Sequence, residues 1–350
     1  MIHPLVKYGL FLLVASAFLA GCAGLQTRRV DWDRAEFPIG WPEPPDVERI
    51  RLLNVFPTKV QDKQKTPQEK FLNWLTGGDQ SEPPPLVTPY DVVADGEGRV
   101  WVSDTEGGVL HVFDLATDSH EVWNTFDGIK LISPVGLGID PQRGTIYLCD
   151  AVVNWVLDVV YQGQLLREIE APEGFQRPTD ILPGKDGQIY VSDTLRGEVL
   201  VFDAKGQFIK SIGSGISPDG KFNLQVNLDL AADGQMAIVD SMNFRVELFD
   251  GSGASIGSIG GLGDSPGHFA RPRGIAIDSE SHIYVADAAF NNIQIFNREG
   301  QLLLYFGESG FNPGQFMLPA GLFFDQDDRL YVVDSYNQRI QLFQYLKGGE

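Results

Sequence analysis

Six times along this chain a run of alternating β-branched, aromatic and small residues ends in an aspartate. The runs are VWVSD at Asp104, IYLCD at Asp150, IYVSD at Asp193, MAIVD at Asp240, IYVAD at Asp287 and LYVVD at Asp334. The aspartates lie 46, 43, 47, 47 and 47 residues apart. A fixed period in the forties with strand-like content predicts a radial repeat, because each unit is too small to bury its own apolar face and must borrow its neighbours. The fifth copy shows the internal order most clearly: GIAID from Gly274, then HIYVAD, NIQIF and QLLLYFG ending at Gly307. Turn clusters such as Asn297-Arg298-Glu299-Gly300 separate these runs, so each copy predicts four antiparallel strands, one blade of a propeller. The sixth copy stops after its third strand, RIQLFQYL, while ERIRLLNVF (Glu48 to Phe56) precedes the first copy and has the character of a fourth strand. The expected fold is therefore all-β, a six-bladed propeller with four-stranded antiparallel blades. The early strand serves as the outer strand of the last blade, which removes an unpaired edge.

The six copies act as internal comparisons: what all share is scaffold, and departures are candidates for function. The shared aspartates are expected to cap turns. Strand alternation puts the second-to-third-strand loops and the blade-to-blade loops on one face, called the top here. At that face the inner strands begin with Asp91, Gly136, Asp180, Asp229, Gly274 and Gly321. Asp91, Asp180 and Asp229 are thus candidate ligands for a hard cation such as Ca²⁺ at the channel mouth, with capping of their own loops as the alternative. The same face carries Val152, Leu195, Met242 and Tyr336, two residues after each shared aspartate, with Phe244 and Phe290 nearby. A ring of apolar loop tips marks a protein-binding surface. In blade two, Asp158 and Trp155 depart from the pattern, and a register-shifting bulge would account for both.

The ends of the chain add an address. MIHPLVKYGLFLLVASAFLAGCAG has one Lys before an apolar run from Leu10 to Ala20, which is too short for a spanning helix and fits a secretory signal over residues 1–21. Leu19-Ala20-Gly21-Cys22 resembles the lipobox of bacterial lipoproteins, which implies acylation of Cys22 and membrane attachment through that lipid. Ala23, rather than Asp, after the cysteine resembles the outer-membrane default. Residues 22–46, with WPEPP at Trp41 to Pro45, read as a Pro-rich tether, and 47–350 as the propeller. An insertion at about 57–88 holds Thr66-Pro67-Gln68-Glu69, a helix start, followed by Phe71, Leu72, Trp74 and Leu75 on one face; that face is able to cover the apolar ring. Net charge is −20, which argues against nucleic acid as a partner. Cys149, the other cysteine, stands where the other copies have Ser, Val or Ala, so it reads as a packing residue.

With P-x-G-I-A-x-D, I-Y-V-A-D and N-x-I-Q-x-F in view, residues 47–350 resemble the NHL-repeat six-bladed propellers. DSMNFR (Asp240 to Arg245) and DSYNQR (Asp334 to Arg339) keep that family's Asp-x-x-Asn-x-Arg turn. The whole layout is similar to secreted NHL lipoproteins of Gram-negative bacteria. For that group the resemblance implies binding or scaffolding in the cell envelope, sometimes beside secreted multihaem cytochromes, and no known reaction. An enzymatic alternative is a Ca²⁺-dependent hydrolase or lactonase using Asp91, Asp180 and Asp229. His111, His120, His268 and His282 are not expected to converge, and no Gly-x-Ser-x-Gly elbow, phosphate loop or dinucleotide fingerprint is present.

Overall fold

The structure, a computed structural model, describes residues 37–57, 85–184, 186–213 and 222–348. The signal, Cys22, the first part of the tether and nearly all of the insertion with its expected helix lie outside the described residues. Six sheets follow one another in chain order. Blade one is Pro89–Ala94, Arg99–Asp104, Val109–Asp114 and Ser119–Trp123, and blade two is Pro134–Asp140, Thr145–Asp150, Trp155–Val160 and Leu165–Glu168. Blades three, four and five run from Pro178, Gln225 and Pro272 to Ile212, Gly260 and Phe306, each with four strands in the same order. Blade six combines Pro319–Phe324, Arg329–Asp334 and Arg339–Tyr345 with the early strand Ile50–Phe56, which pairs antiparallel to its third strand from Ile50↔Tyr345 to Phe56↔Ile340. The only helical element among the described residues is one 3-10 turn, Ser241–Asn243.

Second strands are buried along almost their whole length because both of their faces meet a neighbouring blade. Their alternating β-branched and aromatic residues suit that position. Large side chains at one position of the strand, Trp101, Tyr147, Tyr284 and Tyr331, are fully buried and fill the wedge that opens between blades away from the axis. The core is accordingly six clusters, each shared by two adjacent blades. Near the axis the blades nearly touch. A Cβ on Gly136 would stand 2.4 Å from Cα of Asp180, and one on Gly274 would stand 2.0 Å from the carbonyl oxygen of Ala320. Glycine is required at both positions by this backbone approach, not by φ.

Two expectations change. Residues 37–41 are not free tether: Gly40–Trp41 adds a fifth strand to blade six, and Phe37, Ile39 and Trp41 pack on the cluster between blades five and six. The Trp41 ring lies 5.3 Å from Phe306 and 6.0 Å from Phe343. A Pro-rich composition suggested a spacer, but its three large apolar side chains bury better than they solvate. In blade two the second and third strands pair without interruption from Thr145↔Val160 to Asp150↔Trp155, and the register shift at Asp158/Val159 against the outer strand recurs at the same place in blades three, four and five, so a bulge does not account for the acid. Asp158 is instead a fully buried acid, held by Arg143 at 3.0 Å and Arg167 at 2.9 Å. Arg167 also donates to the Ala204 carbonyl of blade three, so the trio ties two blades together.

Candidate functional site at the top face and channel mouth

The six shared aspartates are scaffold, as expected. Each accepts the backbone N–H groups that lead into its own inner strand, such as Ile132 (2.7 Å) and Ser133 (3.0 Å) on Asp150, and Gln176 and Arg177 (both 2.8 Å) on Asp193. Where the Asn and Arg of the turn motif survive, they join the same carboxylate. Asn337 (2.8 Å) and Arg339 (2.7 Å) bind Asp334, and Arg339 goes on to bind the carbonyls of Phe311, Asn312 and Gln315. One cation thereby fixes a whole top-face loop.

The channel acids occupy two heights. Register partners align Val92, Leu137, Ile181, Leu228, Ile275 and Leu322, each opposite the residue two before its blade's shared aspartate. One position earlier stand Asp91, Gly136, Asp180, Asn227, Gly274 and Gly321. Asp229 is therefore not the equal of Asp91 and Asp180; Asn227 is, and Asp229 sits two residues further down the strand. Sequence alignment slipped here because blade four has Gln225 where the other five blades have the guiding proline.

All three carboxylates staple neighbouring blades. Asp91 accepts from Val92 (2.9 Å) and from Leu137 of blade two (2.8 Å). Asp180 accepts from Ile181 (2.9 Å) and Leu228 of blade four (2.8 Å), and Asp229 from Leu230 and Ile277 of blade five (both 2.7 Å). Burial pushes the Asp91 carboxyl up to about 7 against the pull of those N–H groups. It raises Asp180 well above its ordinary range, with the nearby Asp91 charge adding to the shift. Among the described residues no three His, Cys, Asp or Glu side chains stand where they could share an ion. The two heights and the engaged oxygens argue against one calcium ion held by Asp91, Asp180 and Asp229 together.

Above this tier, Arg273 of blade five reaches over the ring of Tyr90 in blade one, with its guanidinium carbon 5.0 Å from the ring centroid. Neither residue was singled out by sequence; the internal comparison would have shown Arg273 as a cation where the other blades have Tyr90, Val135, Thr179, Val226 and Ala320.

On the top loops, Val152, Leu195, Met242 and Tyr336 are exposed by 61, 64, 52 and 62%. Phe244 and Phe290 are half-buried, and Phe244 packs into the cluster between blades four and five, so neither is a free loop tip. The blade-to-blade loops add Ile132, Leu262 and Phe311 to the exposed apolar set.

The histidines correct a second expectation. His111 is fully buried and pairs with His120 through Nδ1 at 2.8 Å, while its Nε2 lies 3.4 Å from Asp104. Burial and the neighbouring His111 lower His120 to about 4. Burial works to raise Asp104, but the His111 contact and the backbone N–H groups outweigh it and hold the carboxyl below its usual range. The pair sits on adjacent third and outer strands, two residues off direct opposition, a diagonal that spacing alone did not reveal. His111 pairs with His120 through Nδ1 and only approaches Asp104 through Nε2, without hydrogen-bond geometry, and the trio reads as a structural link rather than a metal cage. Cys149 is buried, and burial first, then the channel acids, raise its thiol well above the usual range. It is inert packing.

The model of the SMP-30/Gluconolactonase/LRE-like region matches residues 91–305. The chain belongs to that family. An NHL-repeat model matches residues 316–343, so the NHL resemblance is found in blade six, where the Asp-x-x-Asn-x-Arg turn is intact. No curated protein matches. Among solved structures, this family member resembles a gluconolactonase from Xanthomonas campestris at 15% identity, covering 75% of this chain and 87% of that one, with a TM-score of 0.57. A streptogramin B lyase (14%, 76% and 96%, 0.54) and hydrazine synthase of Kuenenia stuttgartiensis (14%, 76% and 97%, 0.53) share the architecture equally well. At such identities the likeness is one of fold.

Proposed function

We propose that this propeller is a binding protein of the cell envelope, held to the membrane by acylated Cys22, whose top face docks another envelope protein. One observation carries the reading: large apolar side chains stand exposed on the top loops of blades two, three, four and six, with Val152, Leu195, Met242 and Tyr336 all more than half exposed. Such side chains rimmed by polar loops supply most of the energy of a protein interface. A secreted multihaem cytochrome complex is the partner class that the lipoprotein layout suggests. The test is Met242→Glu combined with Tyr336→Glu in the full-length protein. Neither residue lies in a strand ladder, so the variant keeps its fold and loses the cross-linked envelope partner that the wild type retains; undiminished cross-linking refutes the reading. Cys22→Ser in the same background is expected to move the protein from the membrane fraction to the soluble one.

A second reading, hydrolysis of a lactone at the channel mouth, is favoured by the family match over residues 91–305 and by the buried Asp91 and Asp180 carboxyls. Turnover of glucono-lactone, measured with and without millimolar Ca²⁺, that is abolished by Asp91→Asn and Asp180→Asn would establish it. Its absence leaves the binding reading standing.

A further inference from the structure

We propose that Arg273, Tyr90 and Asn227 form a metal-independent anion site at the channel mouth, which takes a small monocarboxylate with a planar apolar body. The argument begins with unspent donors. Arg273 makes no hydrogen bond or ion pair with any described residue, although the chain carries 47 acids against 27 basic residues. Several other arginines of this propeller are consumed by carboxylates, as Arg329 is by Asp325, Arg245 by Asp240 and Arg339 by Asp334. Arg273 is half-buried at the mouth of the channel, and its guanidinium lies over the face of Tyr90. A guanidinium stacked on an aromatic ring keeps its in-plane N–H fork free, and that fork matches the two oxygens of a carboxylate.

The second observation is independent of the first. Asn227 occupies the position at which Asp91 and Asp180 staple their blades to the next, yet its amide has no hydrogen-bond partner among the described residues, and it is only 5% exposed. An amide that no protein group pairs, at a nearly enclosed position, is open to water or to a ligand. Asn227 lies on the inner strand of blade four, and Arg273 lies on that of the neighbouring blade five, one register position nearer the mouth. A carboxylate between them would accept from the guanidinium and from the amide. An apolar body would then lie along Tyr90, beside the tier filled by Val135, Val226 and Ala320. The acids beneath do not forbid an anion. Burial holds Asp91 and Asp180 toward their neutral forms, so a ligand carboxylate enters beside protons rather than beside two full charges.

Benzoate is the probe, titrated into the full-length protein at pH 6 and followed by calorimetry. Saturable one-to-one binding is expected in the wild type. Arg273→Gln should weaken it about tenfold or more, because a charge-assisted pair is lost, and Arg273→Lys should weaken it less, since it keeps the charge without the fork. Asn227→Leu should also weaken it, while Lys130→Gln, an exposed cation on the same face, should leave it unchanged. Circular dichroism verifies that each variant is folded. The Met242→Glu with Tyr336→Glu variant should still bind benzoate, so failure of partner docking does not bear on this site. No saturable binding by the wild type overturns the proposal, and so does equal binding by folded Arg273→Gln and wild type.

Discussion

Asp158 offers a sharp test of how this propeller is held together, because the two ways of breaking its ion-pair trio should have unequal costs. The acid is fully buried, whereas the side chains of Arg143 and Arg167 are 38 and 25% exposed. Removing Arg167 leaves a buried carboxylate with one partner fewer and also removes the donor to the Ala204 carbonyl of blade three. Breaking a buried pair from one side costs ~3–5 kcal/mol. Arg143 stays in place at 3.0 Å, so Arg167→Met should cost about 2–3 kcal/mol. Asp158→Leu is different. It restores the apolar residue type found at this position in the other five blades, and it deletes Oδ1, which has no hydrogen-bond partner. Both arginines reach solvent and can turn toward it. The expected change is therefore within about 1 kcal/mol of the wild type, in either direction. Equilibrium unfolding in urea, followed by tryptophan fluorescence and circular dichroism together, measures both variants. If Asp158→Leu is the more destabilising of the two, the reasoning from asymmetric burial fails.

Two further perturbations probe the inner ring. Gly274→Ala should destabilise by about 3 kcal/mol, since its Cβ meets the backbone carbonyl of Ala320 at 2.0 Å and cannot be relieved without parting blades five and six. Gly251→Ala, with nothing closer than 3.8 Å, should change stability by less than ~0.5 kcal/mol in the same urea titration. The Asp91 carboxyl is raised from 3.8 to about 7 by burial, so the folded state binds its proton more tightly than the unfolded state does. Its contribution to stability is full below pH ~4 and is lost as pH rises through about 7. Asp91→Asn, a residue this tier already accepts at Asn227, should flatten the stability profile between those limits; an unchanged slope would show that Asp91 is ionised across that range.

Strand count, blade order and the capping role of the shared aspartates were legible because they rest on short-range pattern: alternation within a run, turn residues between runs, and one repeated acid. The exposed loop tips Val152, Leu195, Met242 and Tyr336 were legible for the same reason, as each sits at a fixed step after its aspartate. What failed needed partners far apart in the chain. His111 and His120 meet on a diagonal across two strands, and Asp158 meets arginines from a bottom turn and an outer strand. Along the sequence Asp229 takes the place of Asp91, and only the pairing Leu228↔Ile238 shows that Asn227 holds it. The tether failed because composition describes a chain's average behaviour, whereas Phe37, Ile39 and Trp41 found one specific groove.

The departures from the repeat gather where the blades come closest to the axis. An inner strand has one edge unpaired, and in a closed ring that edge faces the channel, so its N–H groups need acceptors or water. Asp91, Asp180 and Asp229 supply acceptors that bridge blades one to two, three to four and four to five. At blades two, five and six, Gly136, Gly274 and Gly321 carry no acceptor, and close backbone approach replaces the staple. The staples are thus unevenly spread around the mouth, and Arg273 arches across it from blade five to Tyr90 of blade one. A ring built of equal copies would be symmetric and have no preferred orientation for a ligand. The exchange of Asp for Asn at position 227 and the single cation at position 273 break that symmetry at one place. These two changes have no evident value for blade packing, and together they make sense as a polar end for something that enters the channel from the top.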